Sequence, residues 1–336
     1  MKHLISLKEQ SKEDILEILE IAQKLKQDRA KGKISKYLEN KTLIMLFQKT
    51  STRTRLSFEA AMTELGGHAI FLDTRTSQLG LADFRDEIQA IMRFGDVLMF
   101  RALKSEDVQL AASFNRIPVI DACSEKYHPA QALSDLLTMI EHSGGLQNIR
   151  KIVWLGIENN VSNTLMLACA KLGIKVVLVA PEIDPACIDL ELNRQAEATG
   201  KVSRTLDFKE ALDEADYVHT DTWMNMEFFE NGKVKPEFER LYLSRKEKFL
   251  PYQLNAKLIE AYCPRARIMH CMPCHVGYEI SKDAIGHENS VIFDQAENRM
   301  HMQKAILLWL LGIEIIKMRE TVSPCTKVHG LKRDGF

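Results

Sequence analysis

A strand, a short polar turn and a helix recur along this chain, and that rhythm restricts it to a parallel α/β architecture before any single side chain is interpreted. The apolar runs Leu43 to Phe47, Ala69 to Leu72, Val97 to Phe100 and Pro118 to Ile120 have the length of buried strands, and helical patterns separate them. Ahead of them, Ser11 with Asp14 reads as a capping box, opening an amphipathic helix through Ile15, Leu16, Ile18, Leu19, Ala22 and Leu25 that ends near Gly32. A longer helix starts near His128 and runs through Leu136 and Ile140 until Ser143-Gly144-Gly145 breaks it. The rhythm then restarts with strands at Ile152 to Gly156 and Val176 to Val179 around a helix through Leu165 and Ala170. Further strands are predicted at Tyr217 to Thr220, Arg267 to His270 and Val291 to Phe293. From Gln295 a helix continues through Ile306, Leu310 and Ile315, long enough to cross between domains, and the tail after Thr321 reads as loosely ordered.

With 336 residues, 46% of them hydrophobic, the chain can bury two cores. Lys+Arg 45 against Asp+Glu 46 leaves a formal charge of -1, which gives no support for nucleic acid as a partner. The first residues lack the apolar core of a signal peptide and no run approaches a bilayer span, so the expected location is the cytoplasm, with no membrane partner. Seven irregularly spaced cysteines in a chain of this size argue against a disulfide framework.

Ser51-Thr52-Arg53-Thr54-Arg55 follows the first strand and opens a helix whose apolar positions are Leu56, Phe58, Ala61 and Met62. Unpaired backbone N–H groups at a helix N-terminus favour an anion, and the guanidinium and hydroxyl groups here add charge and short-range donors. The motif reads as a phosphate or carboxylate cradle, or as a well-capped solvated helix start. Arg101 after the third strand, His128-Pro129-Ala130-Gln131 after the fourth, and Arg299 in the last helix are each weak alone. Gathered at the strand exits of parallel sheets, where ligands collect, they suit a doubly charged phosphoryl group. Gly156-Ile157-Glu158-Asn159-Asn160 has one glycine where a dinucleotide fingerprint needs three. Cys271, Cys274 and His275 spell the C-x-x-C-H pattern of haem attachment, and His270 adds a fourth candidate zinc ligand. A strand leading directly into the cluster, with no separated second ligand pair, speaks against both haem and zinc.

In this order, Ser51 to Arg55, His128 to Gln131, Asn159-Asn160, Asp221 to Met226, His270 to Pro273 and Ala296 to Arg299 resemble the transcarbamylase family, nearest its ornithine branch. The resemblance spans almost the whole chain. It implies two doubly wound α/β domains with parallel sheets, linked by two long interdomain helices. Residues 1–143 plus about 304–336 would form the carbamoyl-phosphate domain and residues 144–303 the ornithine domain. It further implies a homotrimer or a multiple of trimers, and no metal or organic cofactor.

By the same resemblance Ser51, Thr52, Arg53, Thr54, Gln78, Arg101, His128, Gln131, Cys271, Met272 and Arg299 hold carbamoyl phosphate, with Gln78 reaching a neighbouring subunit's site. Asn160, Asp221, Asn225 and Met226 hold ornithine, and Arg101, His128 and Cys271 take the catalytic roles. The implied reaction moves the carbamoyl group to the δ-amine of L-ornithine, giving L-citrulline and phosphate, in arginine metabolism. The departures fall on the acceptor half. Asn225-Met226-Glu227 stands where the ornithine branch usually carries Ser-Met-Gly, Met272 replaces a leucine, and Phe228 to Pro251 is extended. Putrescine, an N-acylornithine or an orphan amine therefore stays open as acceptor, as does a non-catalytic carbamoyl-phosphate-binding protein.

Overall fold

The computed structural model describes residues 1–224, 228–230 and 233–315. Its first half forms a parallel sheet from β1 (Thr42–Phe47), β2 (His68–Asp73), β3 (Val97–Arg101) and β4 (Val119–Asp121), in the order β2-β1-β3-β4. Around it lie α1 (Lys12–Ala30), α2 (Thr52–Glu64), α3 (Phe84–Ile91), α4 (Ser105–Ser113) and α5 (Pro129–Ser143). The apolar run of β1 is continuous because both faces are covered. Leu43, Met45 and Phe47 join the core that includes Ile18 of α1 and Phe58 of α2, while Ile44 and Leu46 join one built on Ile88 and Val108.

The second half is a five-stranded parallel sheet of β5 (Lys151–Glu158), β6 (Lys175–Ile183), β7 (Val202–Arg204), β8 (Tyr217–Thr220) and β11 (Arg267–His270), in the order β11-β8-β5-β6-β7. Between β8 and β11 comes a short antiparallel hairpin of β9 (Phe229–Glu230) and β10 (Lys233–Val234). The helices are α6 (Asn160–Lys171), α7 (Leu190–Ala198), α8 (Phe208–Leu212), α9 (Glu239–Phe249), α10 (Ala256–Tyr262), α11 (Lys282–Ile285) and α12 (Ile292–Leu310). No described helix is long and apolar enough to cross a membrane.

Both sheets reverse their direction of growth once, at β1/β3 and at β5/β8. Such switch points leave a crevice beyond the strand C-termini, because the flanking helices depart to opposite faces there. The chain places Ser51 to Thr54 and Arg101 at the first crevice, and Asn159, Asn160 and Asp221 at the second.

Helix α12 unites them. It is buried almost throughout from Asn298 to Leu310 and packs against α1, α2 and α5. Lys304 Nζ donates to Glu64 Oε2 at 2.6 Å, and Asn298 joins Thr138 Oγ1 at 2.9 Å to Lys26 Nζ at 2.8 Å. The predicted strand over Val291 to Phe293 is a correction: apart from a bridge of Ser290 to Ile268, this run is the N-cap and first turn of α12. Ile292 is buried and Phe293 is 68% exposed, and Gln295 N donates to Val291 O, so the apolar residues belong to a helical face. The predicted break after Ser143 is present, with Gly144 at φ 67 as a left-handed helix cap.

Two lysines hold the N-terminal segment to the second half: Lys8, which pairs with Asp189 Oδ2 at 2.7 Å, and Lys171. Lys171 Nζ donates to the carbonyls of Leu7, Lys8 and Gln10 at 2.7, 3.0 and 2.7 Å. Lys171→Met leaves all three without this partner, so urea unfolding is expected to show a loss of about 2 kcal/mol. Amide exchange over residues 4–10 should accelerate, and unchanged stability with unchanged exchange would contradict this anchoring role.

Candidate active site

The two crevices open into one cleft of about 530 Å³. On one wall, the turn after β1 delivers Gln48, Lys49, Thr50 and Ser51 to the start of α2. Ser51 is the N-cap: its hydroxyl accepts from Thr54 N at 3.3 Å and donates to Thr54 Oγ1 at 3.0 Å. Thr54 is fully buried, and its hydroxyl also accepts from Arg299 Nη2 at 2.9 Å and Arg101 Nη1 at 3.5 Å. Arg101, at the end of β3, also donates to Ala122 O at 3.4 Å.

Arg53, Arg101 and Arg299 thus converge from α2, β3 and α12, and all three line the cleft. None has a carboxylate within ion-pair distance among the described residues, and the Nε of each is buried without a partner. Burial and the facing arginines push Arg299 down to about 10, and burial lowers Arg53 as well. One buried and two half-buried arginines, each with an unpartnered buried Nε, form a site for a multiply charged oxyanion.

His128 caps α5 and is buried, with its backbone N–H donating to Thr164 Oγ1 at 3.0 Å and its Nδ1 unpartnered. Burial, then Arg299, Arg101 and Lys49, hold its pKa well below the ordinary histidine value, so the ring is neutral. Gln131 is fixed by donation of its Nε2 to Asp135 Oδ1 at 2.8 Å, and its buried Oε1 is left without a donor. Gln295 of α12 steadies the same carboxylate oxygen at 2.7 Å and accepts from His270 N at 2.9 Å.

Asp221 lies on the opposite wall, beyond β8. Its Oδ1 accepts from the Cys271 thiol at 3.1 Å and Thr222 N at 2.8 Å, and its Oδ2 from Asn159 Nδ2 at 2.8 Å. Burial, reinforced by Asp221, pushes the Cys271 thiol well above its ordinary pKa, so it is a protonated donor. Two residues after Asp221, Trp223 packs where Gly156 has no side chain; a Cβ there would meet Trp223 Nε1 at 2.7 Å. That close approach, with φ 116 at Gly156, explains the lone glycine of this loop. Met272 and Pro273 line the cleft, and Met272 N donates to His270 Nδ1 at 2.8 Å.

Asp221, His270 and Cys271 place possible metal-ligand atoms within 4.8 Å of one another. His270 nevertheless uses both ring nitrogens, the second against Glu279 Oε1 at 3.2 Å, and Cys271 is turned to Asp221 as a donor. His275 stacks on Phe229 with ring centroids 4.0 Å apart.

One sequence reading needs adjustment. Arg55 is not part of the cradle: it pairs with Glu59 at 2.9 Å and lies over the Phe71 ring, on the exposed face of α2. Thr52 is exposed at the first turn and does not line the cleft, and Gln78 is exposed outside it too. The amide nitrogen of Asn160 donates to Ser124 O at 2.6 Å and Cys123 Sγ at 3.2 Å, tying the two walls together. Asn225 and Met226 lie outside the described residues. Lys49, Asn159, Asp135 and Gln295 were missed as contributors. Only Lys49 and Asn159 carried a signal, as neighbours of recognised motifs.

The sequence profile of the aspartate/ornithine carbamoyltransferase carbamoyl-P binding domain matches residues 2–141, and that of the Asp/Orn binding domain matches residues 148–310. The ornithine carbamoyltransferase of Archaeoglobus fulgidus is 40% identical over 317 residues, covering 94% of this chain and 99% of that protein. The solved ornithine carbamoyltransferase of Pyrococcus furiosus superposes with a TM-score of 0.84 at 38% identity, covering 94% of this chain and 98% of its own. The anabolic ornithine carbamoyltransferase of Campylobacter jejuni gives 0.81 at 36% identity, covering 94% and 100%. This likeness extends over both sheets and the cleft between them, and the chain belongs to the aspartate/ornithine carbamoyltransferase family.

Proposed function

We propose that this protein transfers the carbamoyl group of carbamoyl phosphate to the δ-amine of L-ornithine, giving L-citrulline and phosphate. The observation that carries this reading is the convergence of Arg53, Arg101 and Arg299 on one cleft, the last two on the Thr54 hydroxyl, facing Cys271 and Asp221. Ser51, Thr52, Arg53, Thr54, Arg101 and Arg299 hold the phosphate, Thr52 through its backbone N–H at the helix start. The unpartnered Oε1 of Gln131 accepts from the carbamoyl amide.

Arg101, neutral His128 and the Thr54 hydroxyl lie near the carbonyl oxygen. Negative charge grows there as the amine attacks, so donors in this place stabilise the transition state more than the bound substrate. On the acceptor side, Asp221 receives the α-ammonium, and Asn160, Asn225 and Met226 complete the contacts to the amino-acid backbone. Cys271 and the Met272 carbonyl direct the δ-amine, which must be neutral to attack. The departing phosphate takes the proton, so no side chain has to serve as a strong base.

Residues 1–143 with the end of α12 form the carbamoyl-phosphate unit in this reading, and residues 144–303 the ornithine unit. The exposed place of Gln78, outside its own cleft, supports its reaching a neighbouring site in a homotrimer. A fully active monomer in sedimentation would contradict that assembly.

An acceptor panel tests the reaction. With carbamoyl phosphate, ornithine should form citrulline far faster than putrescine, N-acetylornithine, lysine or aspartate form their products. A faster reaction with any other amine would overturn the acceptor, and phosphate release with none of them would overturn catalysis. Run across pH, log kcat/KM for ornithine should climb with a slope of about one from pH 7 to 9, because the attacking amine resembles a lysine with a pKa of about 10. His128 is held neutral well below its ordinary range and Cys271 protonated well above its own, so neither adds an inflection in that window. A break near pH 6.5 that disappears in His128→Asn would show instead that His128 titrates in the working range.

A further inference from the structure

We infer that Lys235, at the base of the β9–β10 hairpin, reads the carboxylate of the acceptor and so selects an amino acid over a diamine. The inference rests on the carbamoyl-transfer reading above and deepens its acceptor half. Lys235 is half-buried and lines the same cleft as Asp221, Asn160 and Cys271.

The other cations of the cleft are engaged elsewhere. Arg101 and Arg299 bond the Thr54 hydroxyl, Arg53 stands on the same helix start, and Lys49 lies near enough to His128 and Asp121 to perturb both. Arg75 is spent on a two-pronged pair with Asp73, at 3.0 and 2.6 Å. Lys235 makes no ion pair with the described residues; the nearby cleft carboxylate of Asp184 accepts from Ala186 N at 3.0 Å. Asn160, the obvious neutral donor for a carboxylate, already gives its amide nitrogen to Ser124 O and Cys123 Sγ. An α-ammonium finds Asp221, while the remaining cation on this wall is Lys235.

The base of the hairpin is anchored at the cleft. Lys235 N donates to Phe228 O at 2.9 Å, closing the turn at its base. Phe229 stacks on His275, whose Nδ1 meets Thr222 Oγ1 at 3.0 Å, one residue from Asp221. Behind it, Phe228 stacks on Phe238 with centroids 4.1 Å apart, and Arg245 of α9 donates to Trp223 O at 2.9 Å. A short chain of contacts therefore fixes Lys235 relative to Asp221. Two opposite charges at this end of the cleft match the two charges of an α-amino acid, and a second cation would repel the far ammonium of a diamine.

Steady-state kinetics of Lys235→Gln test this, with Lys235→Arg as the charge-preserving control. L-Norvaline, which keeps both α-groups and lacks the δ-amine, serves as a competitive inhibitor whose Ki reads α-group binding apart from the reacting amine. For Lys235→Gln, the ornithine KM and norvaline Ki should each rise roughly 10–100-fold, the factor carried by one hydrogen bond to a charged group. The KM for carbamoyl phosphate should stay within twofold, activity toward putrescine should hold or rise, and Lys235→Arg should keep most of the ornithine activity. An ornithine-active wild type whose Lys235→Gln variant binds ornithine and norvaline as before overturns this inference alone. A wild type that carbamoylates putrescine and not ornithine overturns the acceptor reading with it.

Discussion

Three guanidinium groups gathered at one cleft, with no carboxylate partner among the described residues, form the constraint on which this structure depends. Arg299 is 3% exposed, and burial, followed by repulsion from Arg101 and Arg53, lowers its pKa to about 10. Clustering like charges in a low-dielectric place is costly, and a fold retains such an arrangement where an anion offsets it. Geometry supplies the rest: the three side chains come from a helix start, a strand end and the last long helix, so they meet only when the whole chain is folded. The Thr54 hydroxyl at their centre accepts from two of them and is itself oriented by the Ser51 cap.

Helix α12 translates this local demand into architecture. It begins beside the second sheet, where Gln295 bonds His270 N and Asp135, and ends buried in the first half beside α1 and α2. A helix so placed brings Arg299 to the phosphate wall and Gln295 to the residues that steady Gln131. Displacing it would disturb both sides of the cleft at once. The Asn160 amide on Ser124 O and Cys123 Sγ is a second tie between the walls.

Much of this was legible in the sequence because parallel α/β folds write their strands as continuous apolar runs and put function just beyond them. The strands from β1 to β4, and β8 and β11, fall within a residue or two of their apolar runs, and Ser51, Arg53, Arg101, His128, Gln131 and Arg299 all line one cleft. What escaped was side-chain direction and partnership. Arg55 looks equivalent to Arg53 in a five-residue motif, yet two positions along a helix turn it to the outer face. Val291 to Phe293 has the composition of a strand, and only the helical pattern beyond it decides otherwise. Asn159 and Gln295 act through hydrogen bonds to residues 62 and 160 positions away, which no local pattern encodes. The β9–β10 hairpin with α9 was visible only as extra length.

The most direct test of the arginine cluster is a calorimetric titration of inorganic phosphate into the wild-type protein and into Arg299→Gln. The account requires wild-type binding that weakens roughly 10–100-fold in the variant, as expected for losing a charge-assisted contact to phosphate. Equal affinities in the two proteins would show that the buried guanidinium groups are not held together for an oxyanion, and the central claim would fall.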